Sequence, residues 1–375
     1  MNTYDFPGWL APDVWATIQD TRALAAQDLA PLAAAGEPGR VNRPLIKALG
    51  DHGVLPRIFP SEGRVSAVTL CALREGLAGG STDAETAFAL QGLGSYPIVQ
   101  SGSDELRGRW VSGVARGEVV AGFALTEPDA GTDAAALSLV ADKVDGGYRL
   151  SGAKKWISNA PEADVYSLFA RTSDNGARGV TAFVVPGDAD GLTGESLDLL
   201  APHAIGTLEL DGVFVGDDHV LGEVDGGFAV AMQTLDLFRP SVGAFAVGMA
   251  QAALDAATKH AGERESMGKP LREFQAVSHQ LAEAAVRTKA ARLLVYEAAA
   301  TYDTGERVTK AAAIAKLYAT ETAQWVIDVA LQIHGASGLE KGHLLEHLYR
   351  DVRATRIYEG TSEIQREIIA RELYR

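Results

Sequence analysis

With one cysteine, Cys71, this chain can form no intramolecular disulfide, which fits a reducing compartment. Clustered lysine and arginine are also missing. The 375 residues carry a formal net charge of -15, which disfavours sequence-independent binding to nucleic acid, although a few converging cations could still hold an anionic small ligand. No apolar run approaches the roughly 20 residues that a membrane-spanning helix needs. The N-terminal stretch MNTYDFPGWL has no basic region ahead of an apolar core, so neither a secretory signal nor an Arg-rich transit peptide is read there, and a cytoplasmic protein is expected. A dinucleotide fingerprint is missing too. GLGSYP, residues 92–97, does not complete G-x-G-x-x-G and lies in a helical block, and the strand-rich part has no βαβ unit, which disfavours a Rossmann domain.

What is present is a globular composition, 47% apolar and 22% charged, in a chain long enough for two or three units of ordinary domain size. Residues 1–118 read as helix cut into pieces by Gly and Pro, with Val65, Val68, Leu73 and Leu77 at helical spacing and Ser103 capping a helix whose first turn holds Asp104 and Glu105. Residues 119–222 break into short β-rich runs. LSLVADKV and YRLSGAKKWIS flank Asp145-Gly146-Gly147, and VYSLFART and GVTAFVVP flank Asp174-Asn175-Gly176, giving two hairpins of a sandwich or small barrel. Past GEVDGGF, residues 223–375 return to helix in long Ala-rich segments, about Phe228–Ala261, Pro270–Thr301 and Arg307–Gly335. Such segments suit an antiparallel bundle, because Ala lets helix axes approach while Leu, Ile and Val fill the seam.

Several short motifs carry possible chemistry. His343-Leu-Leu-Glu346-His347 matches H-x-x-E-H, in which two histidines share a helical face and could hold zinc, but no third ligand can be located and a structural or surface role is preferred. Ser151-Gly-Ala-Lys154 matches S-x-x-K in a predicted strand, without the partner motifs of that chemistry. ALTEPDAGTDAA, residues 124–135, places Thr126, Thr132 and Asp133 around Pro128 and Gly131 directly after the strand VVAGFAL. It is either a binding loop projecting from a sheet or a polar turn, and the residues alone leave both open. In KKWISNA, residues 154–160, Trp156 beside Ser158 and Asn159 could lay a flat face on a planar ring, yet taken alone core packing is the expected role.

RIYEGTSEIQR, residues 356–366, reads as a helix start in which Thr361 or Ser362 caps and Ser362-x-x-Gln365 forms a capping box. Glu359 precedes it, between Tyr358 and Gly360. It is an acid complementing the helix dipole or, with apolar neighbours raising its pKa and Gly360 permitting close approach, a general base.

Six segments in order along nearly the whole chain resemble signature segments of the acyl-CoA dehydrogenase family: ALTEPDAGTDAA, KKWISN, RPSVGAFAVGMAQAALDAA, ERESMGKPLREFQ, QIHGASG and RIYEGTSEIQR. The resemblance implies an α+β multidomain fold with a helical N-terminal domain, a middle β-domain and a C-terminal four-helix bundle. It implies FAD at a subunit interface and therefore a homo-oligomer, a tetramer or at least a dimer. The implied reaction is α,β-dehydrogenation of an acyl-CoA thioester to the trans-2-enoyl-CoA: Glu359 removes the pro-R α-proton, flavin N5 accepts hydride from the β-carbon, and electrons pass to an electron-transfer flavoprotein. An α-proton beside a thioester is weakly acidic, so the developing enolate needs a dry, preorganised site. In the family the base's own N–H and a ribityl hydroxyl supply it.

Carried over position by position, the resemblance puts Leu125, Thr126 and Ser158 against the flavin ring and Trp156 over one face of it. Thr132 would line the cofactor and acyl-pantetheine channel, with Asp236, Arg239 and Gly360 on the substrate side and Arg239 ordering the base loop. Arg264 and Gln275 would reach the pyrophosphate or adenine, Gln332, Gly335 and Ala336 would do so from a partner subunit, and Thr361 and Glu363 would finish the adenosine end. The sequence departs from the family at Met267, usually Phe, at Ala336, usually Gly, in the run Gly342–His347, which lacks an Arg, and in LLAPHAIGTLEL, residues 199–210. Related readings are a carrier-protein-bound acyl group, a branched or cyclic acyl-CoA, and an oxygen-using oxidase.

Overall fold

The computed structural model describes residues 8–59 and 64–375; most of the N-terminal stretch inspected for a leader lies outside them. The first helices are α1 (Pro12–Leu24), α2 (Ala30–Ala34), α3 (Arg43–Asp51), α4 (Ala67–Gly80), α5 (Thr82–Ser101) and α6 (Asp104–Ala115). Strands follow: β1 (Ala121–Ala124), β2 (Val140–Val144), β3 (Gly147–Ser158), β4 (Val165–Arg171), β5 (Val180–Pro186), β6 (Leu192–Thr193), β7 (Ile205–Gly216) and β8 (Val220–Leu221). The chain then returns to helix in α7 (Gly227–Glu263), a small hairpin of β9 (Glu265–Ser266) and β10 (Lys269–Pro270), α8 (Gln275–Asp303), α9 (Thr309–His334), α10 (Leu344–Thr355) and α11 (Ser362–Glu372). By packing these form two compact units. One comprises the described residues of Met1–Ala30, Ser66–Glu85 and Asp236–Arg375, the other those of Pro31–Val65 and Thr86–Leu235.

In the first unit small residues set the helix spacing. A side-chain carbon on Gly76 of α4 would stand 2.6 Å from Ile18 O of α1, so glycine is what permits that approach. α9 buries Ala312, Ala313, Ala315, Ala319 and Ala323, the small-residue face that close helix packing needs. Buried charges are paired: Glu75 of α4 accepts from Arg292 Nε at 2.8 Å and Tyr296 Oη at 3.0 Å, both on α8. The helix expected to begin at Pro270 begins at Gln275 instead. Met267 and Gly268 adopt left-handed φ of 51° and 79°, closing a two-residue turn that pairs Lys269 and Pro270 with Ser266 and Glu265, and Leu271–Glu273 form a 3-10 turn before the helix can start.

In the second unit Ser103 caps α6 as expected, accepting from Leu106 N at 3.2 Å. The strands form one eight-stranded mixed sheet in the order β6-β7-β3-β2-β4-β5-β8, with β1 parallel to β4. Both expected hairpins are present as β2–β3 and β4–β5. β2 meets β4 at a single pair, Val140 with Arg171, so that pair joins the two halves of the sheet. β4 and β5 are apolar and buried along almost their whole length, and Phe123, Val165, Phe169, Val180, Val184 and Leu221 build the core beneath the loop that follows β1. Each such side chain contributes about 1.5–3 kcal/mol when fully buried. Gln91 of α5 fixes β1, donating to Val119 O at 2.7 Å and accepting from Ala121 N at 2.9 Å. Among the described residues no helix is long and apolar enough to cross a membrane.

Candidate active site

The base-like segment lies in the first unit. α10 closes when the N–H groups of Ile357 and Tyr358 both turn back to Ala354 O, at 2.9 and 3.2 Å. Glu359 and Gly360 then adopt left-handed φ of 52° and 94°; glycine does so freely, whereas a glutamate there is strained by about 1–3 kcal/mol. α11 starts immediately afterwards, and Thr361 caps it by accepting from Ile364 N at 3.3 Å. The capping box expected between Ser362 and Gln365 does not form. Gln365 turns back instead, donating to Glu359 O at 3.2 Å and Gly360 O at 2.9 Å, while Ser362 Oγ donates to Glu321 at 2.7 Å. Both carbonyls of the strained turn need donors, because a buried acceptor left unpaired costs about 1–3 kcal/mol.

Further donors come from other helices. Arg239 Nε of α7 reaches Glu359 O at 3.3 Å, and Lys316 Nζ of α9 reaches Gly360 O at 2.7 Å. Asp236 stands 3.6 Å from Arg239, so Glu359, Gly360, Arg239 and Asp236 form one cluster. The Glu359 carboxyl is shielded, and its Oε2 has no hydrogen-bond partner among the described residues. Burial therefore pushes its pKa above the usual carboxylate value, with Arg74, Lys316 and Arg239 pulling against that rise. Arg74 is itself buried, pairing with Glu85 and donating to Ser241 Oγ at 2.7 Å.

The segments expected to face the ring lie in the second unit, in the loop after β1 and at the end of β3. Lys155 N donates to Thr126 O at 3.0 Å, tying the loop after β1 to β3. Beneath it Glu127 accepts from Ser138 N (2.6 Å), Ser138 Oγ (2.9 Å), Leu139 N (3.0 Å) and Lys154 Nζ (2.8 Å); Lys154, 0% exposed, also donates to Leu125 O at 3.0 Å. Burial works against the Glu127 charge, but Lys154 and these donors win and hold its carboxyl below the usual range.

Trp156 is not a core residue. A bulge between Lys155 and Ile157, where β3 pairs with β7, gives Trp156 a φ of 57° and turns it out to 47% exposure, while Ile157 goes inward. Asn159, also left-handed at 59°, locks the strand end by donating to Ala121 O at 2.8 Å. Thr126 and Ser158 are half-buried, and among the described residues nothing bonds their hydroxyls; Thr132 is exposed on the loop.

The other expected residues are exposed at helix ends in the first unit. Arg264 follows α7, Gln275 begins α8, and Gln332, Gly335 and Ala336 lie around the C-terminus of α9. Among the described residues none of these shares a hydrogen bond with the Glu359 loop. The Glu363 carboxyl is held below the usual range first by its own backbone N–H and then by the Thr361 hydroxyl.

The H-x-x-E-H residues point to separate partners. His343 caps α10 by accepting from Leu345 N at 3.2 Å, Glu346 pairs with Arg350 at 2.7 Å, and His347 lies 2.7 Å from Thr82 Oγ1 and 3.1 Å from Asp351. Among the described residues no group of three or more His, Cys, Asp or Glu could hold a metal ion.

The sequence reading passed over Arg74, Lys316 and Glu127, and gave Gln365 a capping-box role in place of its bonds to the Glu359 and Gly360 carbonyls. The available signal was a charge inside a small, apolar helical run, as in CALREGLAGG and AAAIAKLYAT, where burial demands a partner.

In the second unit, an aromatic face held out from a rigid strand and two unpartnered hydroxyls near it fit the flat ring and polar edge of FAD. The chain matches the acyl-CoA dehydrogenase N-terminal domain over residues 15–118, the middle domain over 122–213 and the C-terminal domain over 225–374. It is 36% identical to cyclohexane-1-carbonyl-CoA dehydrogenase of Geobacter metallireducens, over 94% of this chain and 95% of that protein. The structure superposes on butyryl-CoA dehydrogenase from Megasphaera elsdenii with a TM-score of 0.92 and 32% identity, covering 99% and 100% of the two chains. PigA with FAD and proline gives a TM-score of 0.92 at 26% identity, covering 99% of each chain. The chain therefore belongs to the acyl-CoA dehydrogenase family, and is an oxidoreductase that uses FAD.

Proposed function

We propose that this enzyme converts an acyl-CoA to the trans-2-enoyl-CoA, with Glu359 as the base that removes the α-proton, and passes its electrons to an electron-transfer flavoprotein. The observation that carries this reading is the Glu359 carboxyl, shielded and without a hydrogen-bond partner on Oε2, on a turn fixed from three helices. Its raised pKa suits proton abstraction, since a base works best with a pKa near the operating pH. A side-chain carbon at Gly360 would stand 2.6 Å from Gln365 Nε2, so glycine is what lets the Gln365 amide close on this left-handed turn and hold it. Bound FAD supplies the hydride acceptor for the β-carbon. Trp156 would cover the ring and Thr126 and Ser158 would bond its polar edge, while Leu125, Thr132, Arg264, Gln275, Gln332, Gly335, Ala336, Thr361 and Glu363 hold the remaining cofactor and acyl-pantetheine contacts in a homo-oligomer.

A cyclic or branched acyl group is a second reading. It is favoured by the name of the Geobacter relative, and by Leu199 and Leu200, which expose apolar surface in the departing 199–210 stretch. Anaerobic addition of butyryl-CoA and cyclohexane-1-carbonyl-CoA tests both readings. The enzyme should lose its yellow colour with one of them, and Glu359→Gln should keep bound FAD but show no bleaching with either; bleaching in that variant rejects the assigned base.

A further inference from the structure

Lys316 belongs to none of the sequence signatures, yet it is 0% exposed on α9, on the face that also buries Ala312, Ala313, Ala315 and Ala319. An ammonium is costly to bury, and a carbonyl can be satisfied by an uncharged amide, as Gln365 does for the same Gly360 O at 2.9 Å. The charge therefore needs its own explanation. The charged and titratable groups around Glu359 are Arg74 from α4, Arg239 from α7 and Lys316 from α9, with Tyr358 on its own loop. Those around Lys316 are Glu359, Arg239, Glu321 and Glu363.

We propose that Lys316 is a positioning residue for the base: its ammonium grips the Gly360 carbonyl to hold the left-handed turn, and its charge sets how tightly Glu359 binds a proton. The proposal rests on the reading of Glu359 as base. Lys316 is hydrogen-bonded at 2.7 Å to the carbonyl next to the base, and from there its charge also favours the ionised Glu359 carboxylate. The two arginines stay charged at all working pH values. Burial pushes Lys316 down to about 8, so of the three cations it is the one whose charge can change near physiological pH.

The test uses FAD-loaded protein and measures the rate of anaerobic flavin reduction by a bleaching acyl-CoA against pH, alongside FAD content and melting temperature. In Lys316→Met, loss of the nearby positive charge should move the acid limb upward by about one pH unit. Lys316→Arg, which restores charge and donor, should return it. If Lys316→Met does not fold, Lys316→Gln, a donor without charge, carries the same test through the same shift. An acid limb unmoved in the uncharged variant, or an arginine variant that behaves like the uncharged one, overturns the proposal. Glu359→Gln run in parallel separates the two failures: flavin reduction persisting there rejects the base, whereas its loss together with an unmoved limb in the uncharged Lys316 variant rejects only the role of Lys316.

Discussion

Glu127 and Glu359 each lie within an expected site segment, and their surroundings are opposite. Glu127 is saturated by two backbone N–H groups, a hydroxyl and an ammonium, and its charge is favoured. Glu359 has one oxygen shielded without a hydrogen bond, and its charge is disfavoured despite three cations nearby. One carboxylate has its hydrogen-bonding capacity taken up by structure, while the other keeps capacity that a substrate proton could use; such divergence of pKa is what separates roles among acids. The loops they support are alike in strain. Trp156 and Glu359 both hold left-handed backbone, one through a strand bulge and the other through carbonyls gripped by neighbouring helices.

The contrast can be broken most forcefully at Lys154. Lys154→Met should destabilise the protein by about 3–5 kcal/mol, because Glu127 is left charged and buried, and the double variant with Glu127→Gln should recover much of the loss. Denaturant midpoints check this; a cost below about 1 kcal/mol for Lys154→Met would mean that the pair does not secure the loop. The opposite sign is expected at Glu359. Its folded pKa is raised above the ordinary 4.5, so its contribution to stability is fully present below 4.5 and lost as pH rises through the folded value. Glu359→Gln should therefore be more stable than the parent at neutral pH, and the gain should shrink as pH falls towards 4.5, measured as melting temperature against pH. The smallest stability effect belongs to Trp156→Ala. Its ring is exposed, so stability should change by less than about 0.5 kcal/mol, while the FAD dissociation constant rises about tenfold in a fluorescence titration.

The local parts of this account were legible in the sequence. Gly and Asp-Asn-Gly turns marked both hairpins and Ser103 marked its helix, whereas Glu359 was set apart as a candidate base only by the family resemblance. What was not legible depended on distant partners. Trp156 looks apolar and therefore internal, and only pairing of β3 with β7 creates the bulge that turns it out. Ser362 and Gln365 have capping-box spacing, yet the unpaired carbonyls of the preceding turn claim Gln365 first. Lys316 lies 44 residues before the carbonyl it grips and Lys154 lies 27 residues after its carboxylate, so neither pairing has a local pattern to announce it.

Flavin reduction by acyl-CoA, followed anaerobically in FAD-loaded Glu359→Gln and Glu127→Gln side by side, tests the difference between the two carboxylates most directly. The account predicts that Glu359→Gln slows by about 10²–10⁴-fold while retaining FAD, and that the Glu127→Gln molecules that carry FAD still bleach. Bleaching at the parent rate in Glu359→Gln, or an equal loss in both variants, would contradict it.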